Sequence, residues 1–208
     1  MNVLIADDHA ILRKGLIEIL NESFPSLNYF EASNGIEALQ ISRKENLDFI
    51  LLDISMPGRN GLDTLKQIRS DGNKTPVLIL SVQPEDQYAI RVLKAGANGF
   101  LNKDSAPEEL LIAVRQVLNG KKYISVNIAE KLVQTISMPF DRPLHENLSD
   151  RELQVLQMIA SGKTVSEIAK EISLTVNTIS TYRARILDKL QLNNNAELTR
   201  YALDNNLV

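Results

Sequence analysis

Over the first 120 residues, short apolar runs alternate with stretches whose apolar residues recur at helical spacing. Residues 3–6 are apolar and stop at Asp7-Asp8. Ile11, Leu12, Leu16, Ile19 and Leu20 then share one predicted helical face, residues 27–32 read as a strand, and residues 36–43 after Gly35 read as a helix. Residues 49–52 are apolar throughout and stop at Asp53; a loop with Pro57, Gly58 and Gly61 leads to a helix carrying Leu62, Leu65 and Ile68. Residues 77–80 stop at Ser81, residues 88–94 are helical, and residues 99–101 form a short strand before Lys103. Pro107 opens a last helix through Leu110, Leu111, Val114 and Leu118, at a first turn whose N–H groups lack helical partners anyway. This is five βα units. Strands apolar at nearly every position are buried on both faces, which predicts a parallel sheet covered by helices and linked by right-handed crossovers, a doubly wound α/β domain.

Residues 121–144 break the pattern, with one short helix over 127–136 and two prolines within 138–144; they read as a helical linker. From Leu148 onward the chain is helical. Ser149 stands at capping-box spacing from Glu152, Leu153, Leu156 and Ile159 follow, and Gly162 ends the helix. Thr164 caps a second helix with Ile168, Ala169 and Ile172 inward, and Ser173-Leu174-Thr175 makes a turn. Residues 176–190 form a third helix with Ile179, Ile186, Leu187 and Leu190 inward, and residues 194–203 a fourth. A short helix, a tight turn and a longer helix make a helix-turn-helix. The predicted organisation is an α/β domain over 1–120, the linker over 121–144, and an all-α domain over 145–208.

Composition narrows the chemistry. The chain has 208 residues and no cysteine, which excludes disulfides, thiolate metal sites and a thiol nucleophile, and two histidines are too few for a His-rich metal site. The first residues turn acidic after four apolar positions, unlike a secretory leader, and no apolar run approaches the roughly 18 residues of a membrane span, so a cytoplasmic protein without a membrane partner is expected. Residues 1–120 hold 12 Lys and Arg against 16 Asp and Glu, residues 121–144 hold 4 against 2, and residues 145–208 hold 7 against 8. No segment is strongly basic, so any nucleic-acid contact must rest on a local patch.

In open α/β sheets, sites lie at the carboxyl ends of the strands. There this chain places Asp7 and Asp8, then Asp53, Ser81 and Lys103. Any one of these alone is more often a turn former, a helix cap or a solvated charge; all five at successive strand ends are not. Three carboxylates and one ammonium leave a charge near −2, which calls for a hard cation such as Mg²⁺. A strand-end Asp beside a metal is a good phosphoryl acceptor, with Lys103 and Ser81 stabilising the phosphoryl oxygens.

On the third helix of the C-terminal domain, Asn177, Ser180, Thr181 and Ala184 fall on one outward face and are small or amide side chains suited to base edges. Thr178 lies beside them. Arg183, Arg185 and Lys189 flank that face, opposed only by Asp188, and Lys163, Thr164 and Ser166 stand at the start of the second helix, where phosphate contacts are expected.

The stretches VLIADDH, LLDISMPGRNG, LILS and KAGANGFLNKD make residues 1–120 resemble a receiver domain of two-component response regulators. The tail, from LSDRELQVL through ISTYRARILDKLQL, resembles the four-helix LuxR/GerE-type DNA-binding domain, and the order of the two is that of the NarL/FixJ subfamily. The resemblance implies sheet order 2-1-3-4-5 and Asp53 as phosphoacceptor, with Asp7, Asp8, Asp53 and the Ser55 backbone carbonyl as Mg²⁺ ligands, Asp8 the more direct of the acidic pair. It implies Ser81 and Phe100 as switch positions and Lys103 as the pocket lysine. It further implies a sensor histidine kinase as donor, a homodimer on phosphorylation, and double-stranded promoter half-sites as target, and it admits RNA polymerase as a further partner. Self-phosphorylation and dephosphorylation with Mg²⁺ would then be the chain's only catalysis. Asp104 stands where family members often carry a proline after the lysine, and Ser180 and Ala184 stand where many relatives carry a lysine, so the DNA sequence read is left open. Two rivals are an aspartyl-phosphate phosphatase, which needs a second Asp where Ser55 stands, and a binding protein indifferent to phosphorylation, whose pocket would lack one of these residues.

Overall fold

The computed structural model describes every residue except 25, 83–84, 126–127 and 131–142, and of 85–87 the backbone alone. Its chain divides into two compact units, Met1–Ile136 and Ser137–Val208. The first carries five parallel strands, β1 (Asn2–Ala6), β2 (Asn28–Ala32), β3 (Phe49–Asp53), β4 (Val77–Ser81) and β5 (Gly99–Asn102), in the order β2-β1-β3-β4-β5. The helices are α1 (Ala10–Ser23), α2 (Gly35–Lys44), α3 (Gly61–Ser70), α4 (Glu85–Lys94) and α5 (Pro107–Leu118). β3 and β4 are buried at every position, because both faces of the sheet are covered. Val3, Ile5, Phe49, Leu51, Leu78 and Leu80 pack with Leu16 and Leu20 of α1 and with Leu110, Ala113, Val114 and Val117 of α5. Leu4, Ile50, Leu52 and Ile79 face the other way and are equally buried.

Two expectations change. β2 is an edge strand, so its Asn28 and Glu31 are exposed and only Ala32 is buried. Ile11 is 88% exposed; it sits about 100° around the helix from Leu12, which with Leu16 and Leu20 forms the true inward row. The linker helix expected over 127–136 falls largely outside the described residues.

The described part of the second unit holds a 3₁₀ turn, Leu144–Asn147, followed by α6 (Asp150–Ala160), α7 (Val165–Glu171), α8 (Val176–Leu190) and α9 (Asn195–Asp204). Ser149 with Glu152 and Thr164 with Glu167 close full capping boxes at the starts of α6 and α7. Leu153, Leu156, Ile168, Ile179, Ile186, Leu190, Leu198 and Ala202 form its buried core. Thr175 caps α8 through the Thr178 N–H, and Gln191 ends it in the left-handed region at φ 58. Among the described residues no helix is long and apolar enough to cross a membrane.

Candidate functional sites

The strand order sets β1, β3, β4 and β5 side by side, so the residues that follow them meet at one edge. Lys103 Nζ lies 2.6 Å from Asp7 Oδ2 and 2.8 Å from Asp53 Oδ2. These two carboxylate oxygens are fully buried and, among the described residues, have no partner but that ammonium. The Lys103 N–H donates to the Ser81 carbonyl, and the Asp104 N–H to Asn102 Oδ1, which fixes the turn that aims the lysine. Ser81 is buried at the end of β4, and Phe100 is buried on β5 opposite Ile79. The Ser55 N–H donates to Asp53 Oδ1 at 3.2 Å. The loop between them and α3 folds back tightly: the Gly61 N–H donates to the Ile54 carbonyl, and a Cβ on Gly61 would stand 1.9 Å from the Asp53 carbonyl oxygen. Only glycine allows that approach.

Burial pushes the Asp53 carboxyl above its usual range; Lys103 pulls it back only in part, and the neighbouring Asp7 charge adds to the rise. Burial pulls the Lys103 ammonium down, but Asp53 and Asp7 more than offset this, so it stays firmly charged. Asp7, Asp8, His9 and Asp53 each offer a ligand atom, all within 4.8 Å of one another. A mostly carboxylate donor set carrying excess negative charge fits a hard divalent cation. His9 follows the acidic pair in sequence and so can be read either as a helix-start residue or as one that touches the pocket; it precedes α1, and its Nδ1 lies 2.9 Å from Asp8 Oδ1 and 3.1 Å from Asp7 Oδ1.

On α8, Asn177, Ser180, Thr181, Ala184 and Arg185 are exposed along one side. Thr181 Oγ1 donates to the Asn177 carbonyl, and Thr178 shares a hydroxyl contact with Thr175. The flanking cations differ from a simple solvated set. Arg183 Nε donates to Asn195 Oδ1 of α9 at 2.6 Å. Lys163 pairs with Glu171 at 2.6 Å. Lys189 pairs at 2.7 Å with Glu152, whose side chain is 3% exposed, and so ties α8 to α6. Thr164 is occupied as a cap, while Ser166 is exposed.

Residues 3–115 match the response regulator receiver domain family, and residues 146–202 match the bacterial regulatory proteins of the luxR family. The chain belongs to the two-component response regulators. The response regulator UvrY of Escherichia coli (strain K12) is 35% identical over 100% of this chain and 95% of its own. The oxygen regulatory protein NreC of Staphylococcus epidermidis (strain ATCC 35984) is 35% identical over 100% of this chain and 99% of its own. Among solved structures, RcsB from Salmonella enterica serovar Typhimurium, bound to promoter rprA in the presence of the phosphomimetic BeF₃⁻, is similar with a TM-score of 0.63 and 28% identity, over 97% of this chain and 98% of that one. This response regulator thus joins a receiver to a LuxR-type regulatory domain, and its edge pocket lies in the receiver.

Proposed function

We propose that this response regulator takes a phosphoryl group on Asp53 from the phosphohistidine of a sensor histidine kinase, and that this charge controls dimerisation and sequence-specific binding of promoter DNA. The observation that carries the reading is Lys103 poised between Asp53 and Asp7, with a buried carboxylate oxygen on either side. An Asp53 oxygen attacks phosphorus, the N–P bond breaks, and the imidazole leaves. Lys103 then exchanges a carboxylate for a phosphoryl oxygen, and the Ser81 hydroxyl donates to another. That movement draws on Phe100 and reshapes the surface formed by α4, β5 and α5. Asp7, Asp8, Asp53 and the Ser55 carbonyl would hold Mg²⁺, which when bound neutralises charge on the transferring group. In this reading the chain's own phosphorylation and dephosphorylation are the only reactions it catalyses, and it acts in the cytoplasm as a regulator.

In the second unit, α8 is the recognition helix. Asn177, Thr178, Ser180, Thr181 and Ala184 meet base edges, while Arg183, Arg185, Lys163, Thr164 and Ser166 meet phosphates. Lys189 joins them only by giving up Glu152. Two copies would read half-sites about one helical turn apart, and a DNA-bound dimer offers RNA polymerase a surface. That RcsB was solved on a promoter with a phosphomimetic supports this reading.

The test is selection of DNA from a random pool, with and without Mg²⁺ and a small-molecule phosphodonor, on the wild type and Asp53→Asn. Paired half-sites enriched by the wild type only with phosphodonor, and never by Asp53→Asn, are expected. Equal enrichment in all arms would keep the DNA-binding role and remove phosphorylation control.

A further inference from the structure

Arg13 lies in the first turn of α1, and its guanidinium reaches back under the turn that carries the acidic pair. Nη1 donates to the Asp7 carbonyl oxygen at 2.7 Å, and Nε donates to Glu31 Oε2 on β2 at 2.9 Å. The side chain is 14% exposed, low for a surface helix arginine. β1 ends at Ala6, so the Asp7 carbonyl lies past the last strand position and Arg13 supplies it with a donor. The Asp7 N–H is already spent on the Ala32 carbonyl, and the His9 N–H on Asp7 Oδ1. The Asp7–Asp8 peptide is planar, so a donor fixed on its oxygen also fixes the direction in which Asp8 leaves it.

We infer that Arg13 is a positioning residue for divalent-cation binding: through the Asp7 carbonyl it sets the orientation of Asp7 and Asp8, and Glu31 holds Arg13 in place. The inference rests on the reading of the pocket as a metal site. Its sign separates it from plain electrostatics. A guanidinium beside a cation site repels the cation, so charge alone makes Arg13→Ala bind metal more tightly. Positioning makes it bind more weakly, as loss of outer-shell partners of metal ligands does.

The experiment measures Mn²⁺ affinity of the full chain by electron paramagnetic resonance and Mg²⁺ affinity by calorimetry, for the wild type, Arg13→Ala and Arg13→Lys. Arg13→Ala is expected to weaken both on the order of tenfold, and to raise the Mg²⁺ concentration needed for half-maximal phosphorylation while the rate at saturating Mg²⁺ is largely kept. Arg13→Lys retains the charge but cannot span both Asp7 and Glu31, so a smaller, severalfold weakening is expected. It is also the variant to read if circular dichroism shows Arg13→Ala unfolded. Affinity equal to or tighter than wild type in the folded variants overturns the inference and leaves the pocket intact. A wild type that binds neither metal overturns the pocket reading, and this inference with it.

Discussion

Asp53 bears its charge at a cost to the fold. Because burial raises its carboxyl above the ordinary range, the folded chain holds that proton more tightly than the unfolded one. The stability tied to the proton is complete below the ordinary carboxylate range and is lost as pH climbs through the raised value. Above that raised value the carboxylate carries its full penalty. Asp53→Asn removes the penalty and leaves Lys103 paired with Asp7. Thermal unfolding should show the receiver unit of Asp53→Asn melting above the wild type at pH 7, with the gap closing as pH falls to about 4, near the ordinary Asp value. A lower melting temperature at pH 7 would mean that the Lys103 pair outweighs the desolvation of Asp53. In the proposed mechanism the destabilised carboxylate would favour switching, since phosphorylation would replace a poorly accommodated group with one whose oxygens take over Lys103.

The helices and turns hold that pocket in shape. α3 starts against the Asp53 backbone only because Gly61 has no side chain. Gly61→Ala forces the loop or the helix to move, at about 1–3 kcal/mol by analogy with overpacked cores. Loss of phosphorylation together with a lower melting temperature is expected; normal phosphorylation would show that the loop can relax. In the second unit, Lys189→Met leaves the buried Glu152 carboxylate with its Ser149 N–H but without its cation. The cost should be about 2 kcal/mol in denaturant unfolding, between an exposed and a fully buried pair. A change under roughly 0.5 kcal/mol, the size expected for an unremarkable surface substitution, would return Lys189 to the solvent. These elements also mark what a sequence reading reaches. β1, β3 and β4 are legible because burial on both faces makes them uniformly apolar. β2 is less so, since one flank is open and Asn28 and Glu31 dilute the run. The pocket is legible because strand ends converge by topology, which local sequence implies. The Arg13 link and the Glu152–Lys189 and Lys163–Glu171 pairs are not, because a charged side chain looks the same in sequence whether water or a carboxylate meets it.

The distribution of charge over both units bears on how the chain meets DNA. The receiver region is net acidic, 12 basic against 16 acidic residues in the first 120, and so adds no attraction to a phosphate backbone. In the second unit three of the flanking cations are already engaged: Lys163 with Glu171, Lys189 with Glu152, and Arg183 with Asn195. Arg185 makes no such contact among the described residues, and Arg183 donates only to a neutral amide, so both can turn to phosphates at little expense. Lys163 must first leave Glu171. Two to three phosphates per copy, each contributing about −0.9 to the slope of log K against log salt, give a dimer a slope between about −3.5 and −5.5. Binding of the phosphorylated chain to a selected operator, titrated from low to moderate salt, measures it directly. Arg185→Gln should flatten the slope by about 2 in the dimer and weaken all sequences alike, as loss of a phosphate contact does. A slope of about −8 or steeper would require cations beyond α7 and α8 to reach the duplex; Lys121 and Lys122, in the net-basic stretch of 121–144, would then be the first to replace. With so few free cations among the described residues flanking α8, the proposed DNA-binding face would hold its non-specific affinity low, and promoter choice would then rest on the side chains of α8 and on the proposed dimerisation.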